Sequence, residues 1–361
     1  MESKKTVLGS SVHFLSQNAI FVVLVVLVLL IAVVDPRFLS FAILRDVLMQ
    51  SSTRAIMALG VAFILITGGV DLSSGRMVGF AAVIAASMLQ IPEYARRFYP
   101  DLPHLPVFLP IILAVAACML FGMLNGLIVA KLQVPPFITT LGTMVVVYGI
   151  NSIYFDMPPN NSQPIGGLRP DFTALGSGRL MNIPVIILIA LAVAVIVWIL
   201  FNKTQLGMNM YAIGGNRDAA IVSGVNVVLT IVILYAIAGA LYGVAGVLEA
   251  ARTGGATNNY GNMYELDAIA ACVVGGVSTT GGVGTVPGVL AGVLRLSKNW
   301  LVARLMTIYV ETMRNVPVLI WILITAAVVN EFLPAPNQFR ESVDPALRAS
   351  PILGGLLVLT N

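Results

Sequence analysis

Long apolar runs with almost no charge constrain this chain more than any other feature of its sequence. A helix needs roughly 20 apolar residues to cross a hydrocarbon core, because each backbone amide must find its hydrogen bond within the segment. Several runs reach that length, so the sequence predicts an all-α fold, a polytopic transmembrane helix bundle. One run, Met77–Leu89, is short for a span and predicts a broken or partly embedded helix. The runs are Ala19–Val34, Ala55–Val70, Met77–Leu89, Val107–Ala130, Phe137–Tyr154, Ile183–Phe201 and Val227–Leu248.

The composition excludes a large water-soluble domain. Of the 361 residues, 58% are hydrophobic and 10% are charged, whereas a soluble chain carries roughly 25% charged residues. There is no long polar region in the sequence from which such a domain could form. The net charge of +4 is small and spread thinly, so the expected surroundings are membrane lipid and not nucleic acid.

The residue patterns that carry catalysis do not occur in this sequence. There is no nucleophile–base set, and no phosphate loop, since the glycine-rich stretch Gly281–Gly288 has no lysine. Cys118 and Cys272 both lie in apolar sequence, which favours packing over a disulfide or a metal pair. The histidines, His13 and His104, lie in terminal or loop sequence. We therefore expect no catalytic residue, metal or cofactor, and no ATP hydrolysis by this chain.

The amino-terminal segment predicts a signal anchor. Lys4 and Lys5 precede the first apolar run, and Asp35-Pro36-Arg37 follows it in place of a small-residue cleavage site. The positive-inside rule does not decide the orientation, because the basic residues divide almost evenly between the two sides.

Polar residues interrupt the apolar runs and define a possible substrate pathway. Asp71 and Ser73 lie in the segment Gly68–Gly75 between two apolar runs. This segment is either a helix break that lines a cavity, or an ordinary surface turn with Asp71 in solvent and a serine capping the next helix. Asn125 and Asn151 are ligands or interhelical hydrogen-bond partners. The candidate pathway residues are Asp71, Ser73, Asn125, Thr139 and Asn151.

Two polar loops differ in character. Asp156–Asn182 carries prolines, asparagines and glycines and predicts an irregular extramembrane loop. In Asn202–Asn226, Asn216 is positioned to cap a short helix that starts at Arg217, and Gly224 to end it. That helix is either a docking element or a simple connector.

Two further patterns concern packing and charge. Gly-x-x-x-Gly spacing recurs in apolar runs, at Gly122–Gly126, Gly239–Gly243 and Gly284–Gly292, and predicts close helix packing. Glu265 and Asp267 stand at the start of a glycine-interrupted apolar run. They mark the edge of a span or, with less support from the sequence, an acid–base pair.

Several motifs together resemble the permease subunits of bacterial ABC importers for sugars, over residues 12–293. The resemblance rests on Gly69-Val70-Asp71-Leu72-Ser73-Ser74-Gly75, Pro136–Met144, the Thr204–Val225 loop, Ala256-Thr257-Asn258-Asn259 and Glu265–Gly282.

The resemblance implies an importer of a monosaccharide, galactose or a methyl galactoside, in the bacterial inner membrane. It implies three partners: a separate ATP-binding subunit, a periplasmic sugar-binding protein, and a second permease copy around a central pathway. It also implies a cytoplasmic amino terminus and an external Asp156–Asn182 loop. The Thr204–Val225 loop becomes the element that couples to the ATPase. The coupling residues that match are Thr204, Gly207, Gly214, Gly215, Asn216, Ala219, Ala220 and Gly224.

From about Leu294 the sequence resembles a different family, the permeases of general L-amino-acid ABC importers. The stretches Arg295–Arg304 and Tyr309–Leu319 carry this resemblance, and the second holds another coupling-type signature. We interpret the chain as a sugar-permease-like transmembrane domain, residues 1–293, followed by an amino-acid-permease-like fragment, residues 294–361. The alternative is a divergent sugar permease. The fusion predicts a compact bundle to about Val293 and a poorly packed tail.

Two other functions remain open. An amino-acid ABC permease is favoured by the tail alone. A secondary transporter or channel without an ATPase would need paired intramembrane charges for ion coupling, and the sequence offers few.

Overall fold

The computed structural model describes the backbone of residues 41–298 and the side chains of residues 45–293. The described part is helical apart from one two-stranded hairpin and the connecting segments. Its elements in chain order are α1 Phe41–Ile66, α2 Ser74–Met88, α3 Phe108–Lys131, α4 Pro136–Asp156, α5 Pro170–Ser177, β1 Arg179–Leu180, β2 Ile183–Pro184, α6 Val185–Lys203, α7 Gln205–Gly215, α8 Arg217–Val222, α9 Val227–Thr253, α10 Tyr264–Val274 and α11 Val286–Lys298.

The predicted all-α membrane bundle is confirmed for this part of the chain. Five helices, α1, α3, α4, α6 and α9, are long and apolar enough to cross a membrane. The short run Met77–Leu89 forms α2, an apolar helix of 15 residues that begins directly after a break, as predicted. Two predicted parts of the chain lie outside the side chains that the structure describes: the first apolar run, Ala19–Val34, and the amino-acid-permease-like fragment, residues 294–361.

Helix α1 lies at the centre of the bundle. In its apolar window 83% of the residues are buried, against 22% in both α4 and α6. Its consecutive residues from Ile56 to Ile66 are enclosed on every side, with the ring of Phe63 packed edge-on against Phe201 of α6. The outer helices instead expose large apolar side chains such as Ile153 and Leu191, which is the surface expected of helices that face lipid.

The glycine patterns mark close backbone contacts, as predicted. Gly122 of α3 lies opposite Gly239 of α9, and a Cβ added to Gly122 would stand 2.2 Å from the carbonyl oxygen of Tyr235. A Cβ on Gly288 of α11 would stand 2.2 Å from the carbonyl oxygen of Gly275, at the end of α10. Glycine at these positions lets two backbones approach more closely than any side chain would allow.

Both cysteines serve packing, as expected from their apolar surroundings. They are buried and free of any disulfide. The thiol of Cys118 donates to the carbonyl of Met77, and that of Cys272 to the carbonyl of Ala58. Each thiol therefore has a hydrogen-bond acceptor on the backbone of a neighbouring helix.

The prediction of an irregular Asp156–Asn182 loop is wrong for part of its length. Pro170–Ser177 forms α5, with Pro170 in the first turn, and a short hairpin follows it. Arg169 precedes the helix, donates to the carbonyl of Leu105 and pairs with the carboxylate of Asp171. This guanidinium holds the pKa of Asp171 below its ordinary value. A proline at the first helical position and an acidic residue in the first turn were the missed signals.

Candidate functional site: an exposed helical element and two broken spans

The segment between α6 and α9 folds into two helices, α7 and α8. The hydroxyl of Thr204 accepts a hydrogen bond from the amide of Gly207 and caps α7. The side chain of Asn216 accepts from the amide of Ala219 and caps α8, which begins at Arg217 as predicted. Helix α7 was not predicted. Its signal was the helical spacing of Leu206, Met210 and Ile213, whose side chains pack inward.

The α7–α8 element exposes several apolar side chains. Val222 is 89% exposed and Ile221 is 53% exposed, and Met208 of α7 is exposed as well. The neighbouring Arg217 and Asp218 supply one charge of each sign and are also exposed. Apolar side chains rimmed by charge are typical of a protein-docking surface.

The residues predicted to form the coupling loop divide into packed and exposed groups. Gly207, Gly214 and Ala220 pack inward, and Gly224 follows α8 with a φ of +83°. Gly215 and Ala219 face open space or solvent. The two groups therefore suit different tasks, since one attaches the element to the bundle and the other is free to meet a partner.

Gly214 joins the α7–α8 element to the bundle at a point where three backbones meet. A Cβ on Gly214 would stand 1.8 Å from the carbonyl oxygen of Ile66 and 2.5 Å from the amide nitrogen of Gly282. The amide of Gly282 itself donates to the carbonyl of Ile66 at 2.8 Å. The exposed element is thus packed directly against the end of α1 and against the loop that follows α10.

Residues 67–73, here called the first break, interrupt the helix between α1 and α2. Asp71 accepts hydrogen bonds from the amide and the hydroxyl of Ser73. The amide of Leu72 donates to the hydroxyl of Thr140 on α4, which donates in turn to the carbonyl of Val70. Polar backbone freed by a break in a membrane helix must find partners within the protein, and most of these groups do.

The surface-turn interpretation of this segment is wrong. Asp71 is 1% exposed, and Ser73 and Asn125 are fully buried. The amide nitrogen of Asn125 donates to the hydroxyl of Ser73, and its oxygen accepts from the hydroxyl of Thr143. Ser73, the hydrogen-bond partner of the carboxylate, is therefore held by Asn125 of α3, which Thr143 of α4 holds in turn. Ser73 does not cap α2 with its side chain.

The predicted pathway residues fall into separate places. Asp71, Ser73 and Asn125 form one buried network at the first break. Thr139 is buried at the start of α4 without a hydrogen-bond partner among the described residues. Asn151 is 2% exposed and lies further along α4, where its amide donates to the carbonyl of Asn258 at 3.5 Å. A role for these residues in substrate passage stays a prediction.

Residues 254–263, here called the second break, separate α9 from α10. Gly261 has a φ of +75°, and a Cβ there would stand 1.9 Å from the carbonyl oxygen of Gly75. A Cβ on Gly75 would stand 2.1 Å from the carboxylate Oε2 of Glu265. The first turns of α2 and α10 therefore touch, so the two broken spans meet where their helices begin.

A group of polar side chains surrounds this meeting point. Arg76 donates to the side-chain oxygen of Asn262 at 2.8 Å, and its guanidinium lies 4.3 Å from the ring centroid of Tyr148 on α4. Asn151 follows Tyr148 by three residues on the same helix face and reaches Asn258. We call Arg76, Tyr148, Asn151, Asn258 and Asn262 the polar strip.

Of the polar strip, the sequence predicted Asn151 as a site residue and missed the others. The signals were an arginine in the first turn after a break, and several asparagines in a glycine-rich segment.

The two carboxylates at the start of α10 have different surroundings. Glu265 is buried, and its Oε2 has no hydrogen-bond partner among the described residues. Asp267 pairs with Arg54 of α1 at 2.9 Å, and both side chains are partly exposed. Asp267 is thus held by an ion pair that Glu265 does not share, which gives no support to an acid–base pair.

An all-α bundle with two broken spans and an exposed helical element belongs to the class of multi-pass membrane permeases. The family described as branched-chain amino acid transport system / permease component matches residues 43–329, and this chain belongs to that family.

Its relatives include import permeases for sugars. The galactose/methyl galactoside import permease of Escherichia coli (strain K12) is 52% identical over 292 residues, covering 79% of this chain and 85% of the relative. The Haemophilus influenzae protein of the same name is 49% identical over 290 residues, covering 79% and 86%. The ribose import permease of Bacillus subtilis is 36% identical over 276 residues, covering 76% and 80%. No solved structure matches this chain.

Proposed function

We propose that this chain is the membrane-spanning permease subunit of an ATP-driven importer for a monosaccharide, with galactose or a methyl galactoside as its substrate. The observation that carries the proposal is the degree of similarity. Identity is 52% to a galactose/methyl galactoside import permease along 85% of that protein, and 36% to a ribose import permease.

ATP hydrolysis takes place on a separate subunit that docks on the α7–α8 element. The chain contains no phosphate loop, and the exposed Ile221 and Val222 offer an apolar contact of the kind that a partner protein covers. The attachment of Gly214 to Ile66 and Gly282 gives a route from the docked subunit to both broken spans. The docking surface then lies in the cytoplasm, and the chain in the bacterial inner membrane.

Two further partners complete the importer. A periplasmic sugar-binding protein delivers the substrate to the external face, and a second copy of this chain faces the first across the pathway. The polar strip supports the second copy. It leaves Tyr148 41% exposed between Val145 and Ile153, two exposed apolar residues of the same helix. Polar groups at membrane depth face protein or a water-filled cavity, and a pathway between two copies supplies both.

The carboxy-terminal residues 294–361 are a separate proposal. We infer that they are a fragment of L-amino-acid permease type, joined to a sugar permease that occupies residues 1–293. The galactose/methyl galactoside import permeases of Escherichia coli and Haemophilus influenzae match over 79% of this chain, although the family match continues to residue 329. Transcript reads across the codons for Val293–Ser297 test the junction. An unbroken transcript supports a single gene product, and separate transcripts support an assembly artefact.

The importer is tested in proteoliposomes that contain this chain, its ATP-binding subunit and its sugar-binding protein. We expect uptake of labelled galactose that requires ATP and is inhibited by methyl galactoside more strongly than by ribose. Uptake of an L-amino acid in place of sugar, or sugar uptake that needs no ATP, would contradict the proposal.

Variants of α8 test the docking surface in the same vesicles. Ala219→Trp and Val222→Asp place a bulky or a charged side chain on it, so we expect them to separate ATP hydrolysis from uptake while membrane insertion persists. Asn161→Ala, an exposed residue of the Asp156–Asn182 loop, is the matched control. Normal uptake by both α8 variants would remove the docking role.

A further inference from the structure

We propose that the polar strip, together with Glu265, is the place where the sugar contacts this chain inside the membrane. The inference rests on the proposed function and adds to it the residues that touch the substrate. It begins from position. Arg76 and Asn262 flank the contact between Gly75 and Gly261, where the two broken spans meet. Broken helices in transporters put their freed polar groups at substrate sites.

Unused hydrogen-bonding capacity is the second observation. Among the described residues, Nη1 of Arg76, Oδ1 of Asn151 and Oε2 of Glu265 are buried and have no partner. Asn151 is 2% exposed and Glu265 is 7% exposed, so bulk water reaches neither freely. A buried polar atom without a partner costs roughly 1–3 kcal/mol. Other described side chains also hold such an atom, Asp71 among them. These three differ because their side chains border the contact between the first turns of α2 and α10 or join it through Tyr148 and Asn258, where a ligand can supply the missing partners.

The chemistry of the group selects a neutral, hydroxyl-rich ligand. The group holds one basic residue, Arg76, and one acidic residue, Glu265, so it does not offer several charges of one sign to select an anion or a cation. Arg76 offers donors, Asn151 and Glu265 offer free acceptors, and a sugar hydroxyl can donate and accept in turn. The partly exposed ring of Tyr148 presents apolar surface to which the C–H groups of a pyranose can pack.

The lipid-facing alternative is disfavoured by the neighbours of the strip. Val145 is 62% exposed and Ile153 is 71% exposed on the same helix, as expected of a helix surface in lipid. The arginine, the three asparagines and the tyrosine of the strip require water, protein or ligand. A passing sugar in a hydrated pathway meets that requirement.

The test uses the complete importer, with galactose and a set of its monodeoxy analogues as probes. Asn262→Ala and Asn151→Ala each remove one amide side chain from the strip. If each amide bonds a sugar hydroxyl, the variant takes up galactose about 3- to 10-fold more slowly per ATP hydrolysed. It also loses discrimination against the one analogue that lacks the contacted hydroxyl. Tyr148→Ala lowers uptake of all the sugars, whereas Tyr148→Phe restores it.

Asn259→Ala is the matched control, because Asn259 is an exposed asparagine of the same segment and makes no side-chain hydrogen bond among the described residues. We expect wild-type uptake and selectivity from it. The yield of assembled complex and its basal ATPase rate, measured for every variant, show whether a loss comes from misfolding. A variant of Arg76, such as Arg76→Met, is the one most prone to misfolding. The test therefore rests on the asparagine variants.

The outcomes separate the two proposals. If the wild-type complex imports no sugar, the proposed function fails. If it imports galactose and the strip variants keep wild-type uptake and analogue selectivity, the inference fails and the function stands. A uniform loss of uptake that parallels loss of assembled complex also overturns the inference, because it shows a structural role only.

Discussion

The two breaks place their polar groups in different surroundings. In the first break, Asp71 and Ser73 are enclosed, and residues of α3 and α4 provide hydrogen bonds to the side chains and the backbone. In the second break, Asn258 and Asn262 remain accessible, and side chains around them keep unused hydrogen-bonding atoms. The first network leaves Oδ2 of Asp71 without a partner among the described residues, but its other side chains are hydrogen-bonded to one another, which holds one geometry. The group around the second break keeps three such atoms, on Arg76, Asn151 and Glu265, which leaves more capacity for a ligand.

The difference assigns distinct tasks to the two broken spans. The first break fixes the start of α2 against α4, and the second presents polar groups at the crossing that α2 and α10 share. The α7–α8 element contacts both broken spans, at Ile66 just before the first break and at Gly282 in the loop after α10. An element that touches both can move one relative to the other.

The crossing should be the least tolerant point of the bundle. Gly261→Ala puts a Cβ 1.9 Å from the backbone of Gly75 at a residue with positive φ, so we expect a loss of about 3 kcal/mol or more in stability. Thermal unfolding of the purified chain in detergent measures it. Gly149→Ala, at a helical glycine with nothing within 4 Å, should leave the melting temperature unchanged. Equal melting temperatures for the two variants would mean that the spans do not cross there.

We expect the hydrogen bonds of the first break to contribute to the stability of the fold. Asp71→Ala leaves the buried amide and hydroxyl of Ser73 without their acceptor, which we expect to cost about 1–3 kcal/mol. The same melting experiment reports it, and Asp71→Asn should retain part of the stability because the amide oxygen still accepts. If Asp71→Ala melts like the wild type, the carboxylate is not the centre of a network.

Two adjacent glycines allow a test of whether the attachment of the α7–α8 element to the bundle matters for coupling. Gly214→Ala collides with the backbone of Ile66, whereas Gly215→Ala meets open space. We expect Gly214→Ala to lower sugar uptake per ATP hydrolysed by roughly 10-fold, an effect of about 1.4 kcal/mol on coupling, and Gly215→Ala to change it little. Parallel measurements of sugar uptake and phosphate release give the coupling ratio of each variant. Equal coupling in the two variants would show that Gly214 transmits nothing.

The smallest effect concerns the loop that links the two broken spans. The amide of Arg169 donates to the carbonyl of Leu89 after α2, and Ile165 bridges to Ala256 in the second break. Arg169 holds the pKa of Asp171 below its ordinary value. The ion pair therefore stabilises the fold above the unfolded-state pKa of about 4, and this contribution is lost as the pH falls through the lower folded-state pKa.

Because Asp171 is half exposed, we expect less than about 1 kcal/mol from the pair. Melting temperatures from pH 6 down to about pH 3 should fall slightly more for the wild type than for Asp171→Asn. An identical decline in both proteins would show that the ion pair of Asp171 does not stabilise the fold.

Local sequence patterns predicted much of this fold because they depend on neighbours in the chain. The apolar runs gave the spans, the shortness of Met77–Leu89 gave the break before α2, and Asn216 gave the start of α8. Helix α7 was missed because its apolar spacing lies in a glycine-rich, polar segment. Helix α5 was missed because it is only eight residues long within a loop.

The candidate site was predicted less well because its contacts are long-range. The first break that buries Asp71 is held by contacts such as that of Thr140, which accepts from the amide of Leu72, 68 residues away. The pairing of Arg76 with Asn262 spans 186 residues. No local pattern could select these partners, although a charged residue just after a break and a cluster of asparagines were visible in the sequence.

The contrast between a closed first break and a sugar-contacting second break is tested most directly by one pair of variants. Asn125→Ala removes an amide from the first network, and Asn262→Ala removes one from the polar strip. The measurement is the uptake of each monodeoxy galactose relative to galactose in the reconstituted importer. Our account predicts that Asn125→Ala keeps the wild-type ratios while its melting temperature falls, and that Asn262→Ala changes the ratio for one analogue. Altered ratios for Asn125→Ala with unaltered ratios for Asn262→Ala would contradict it.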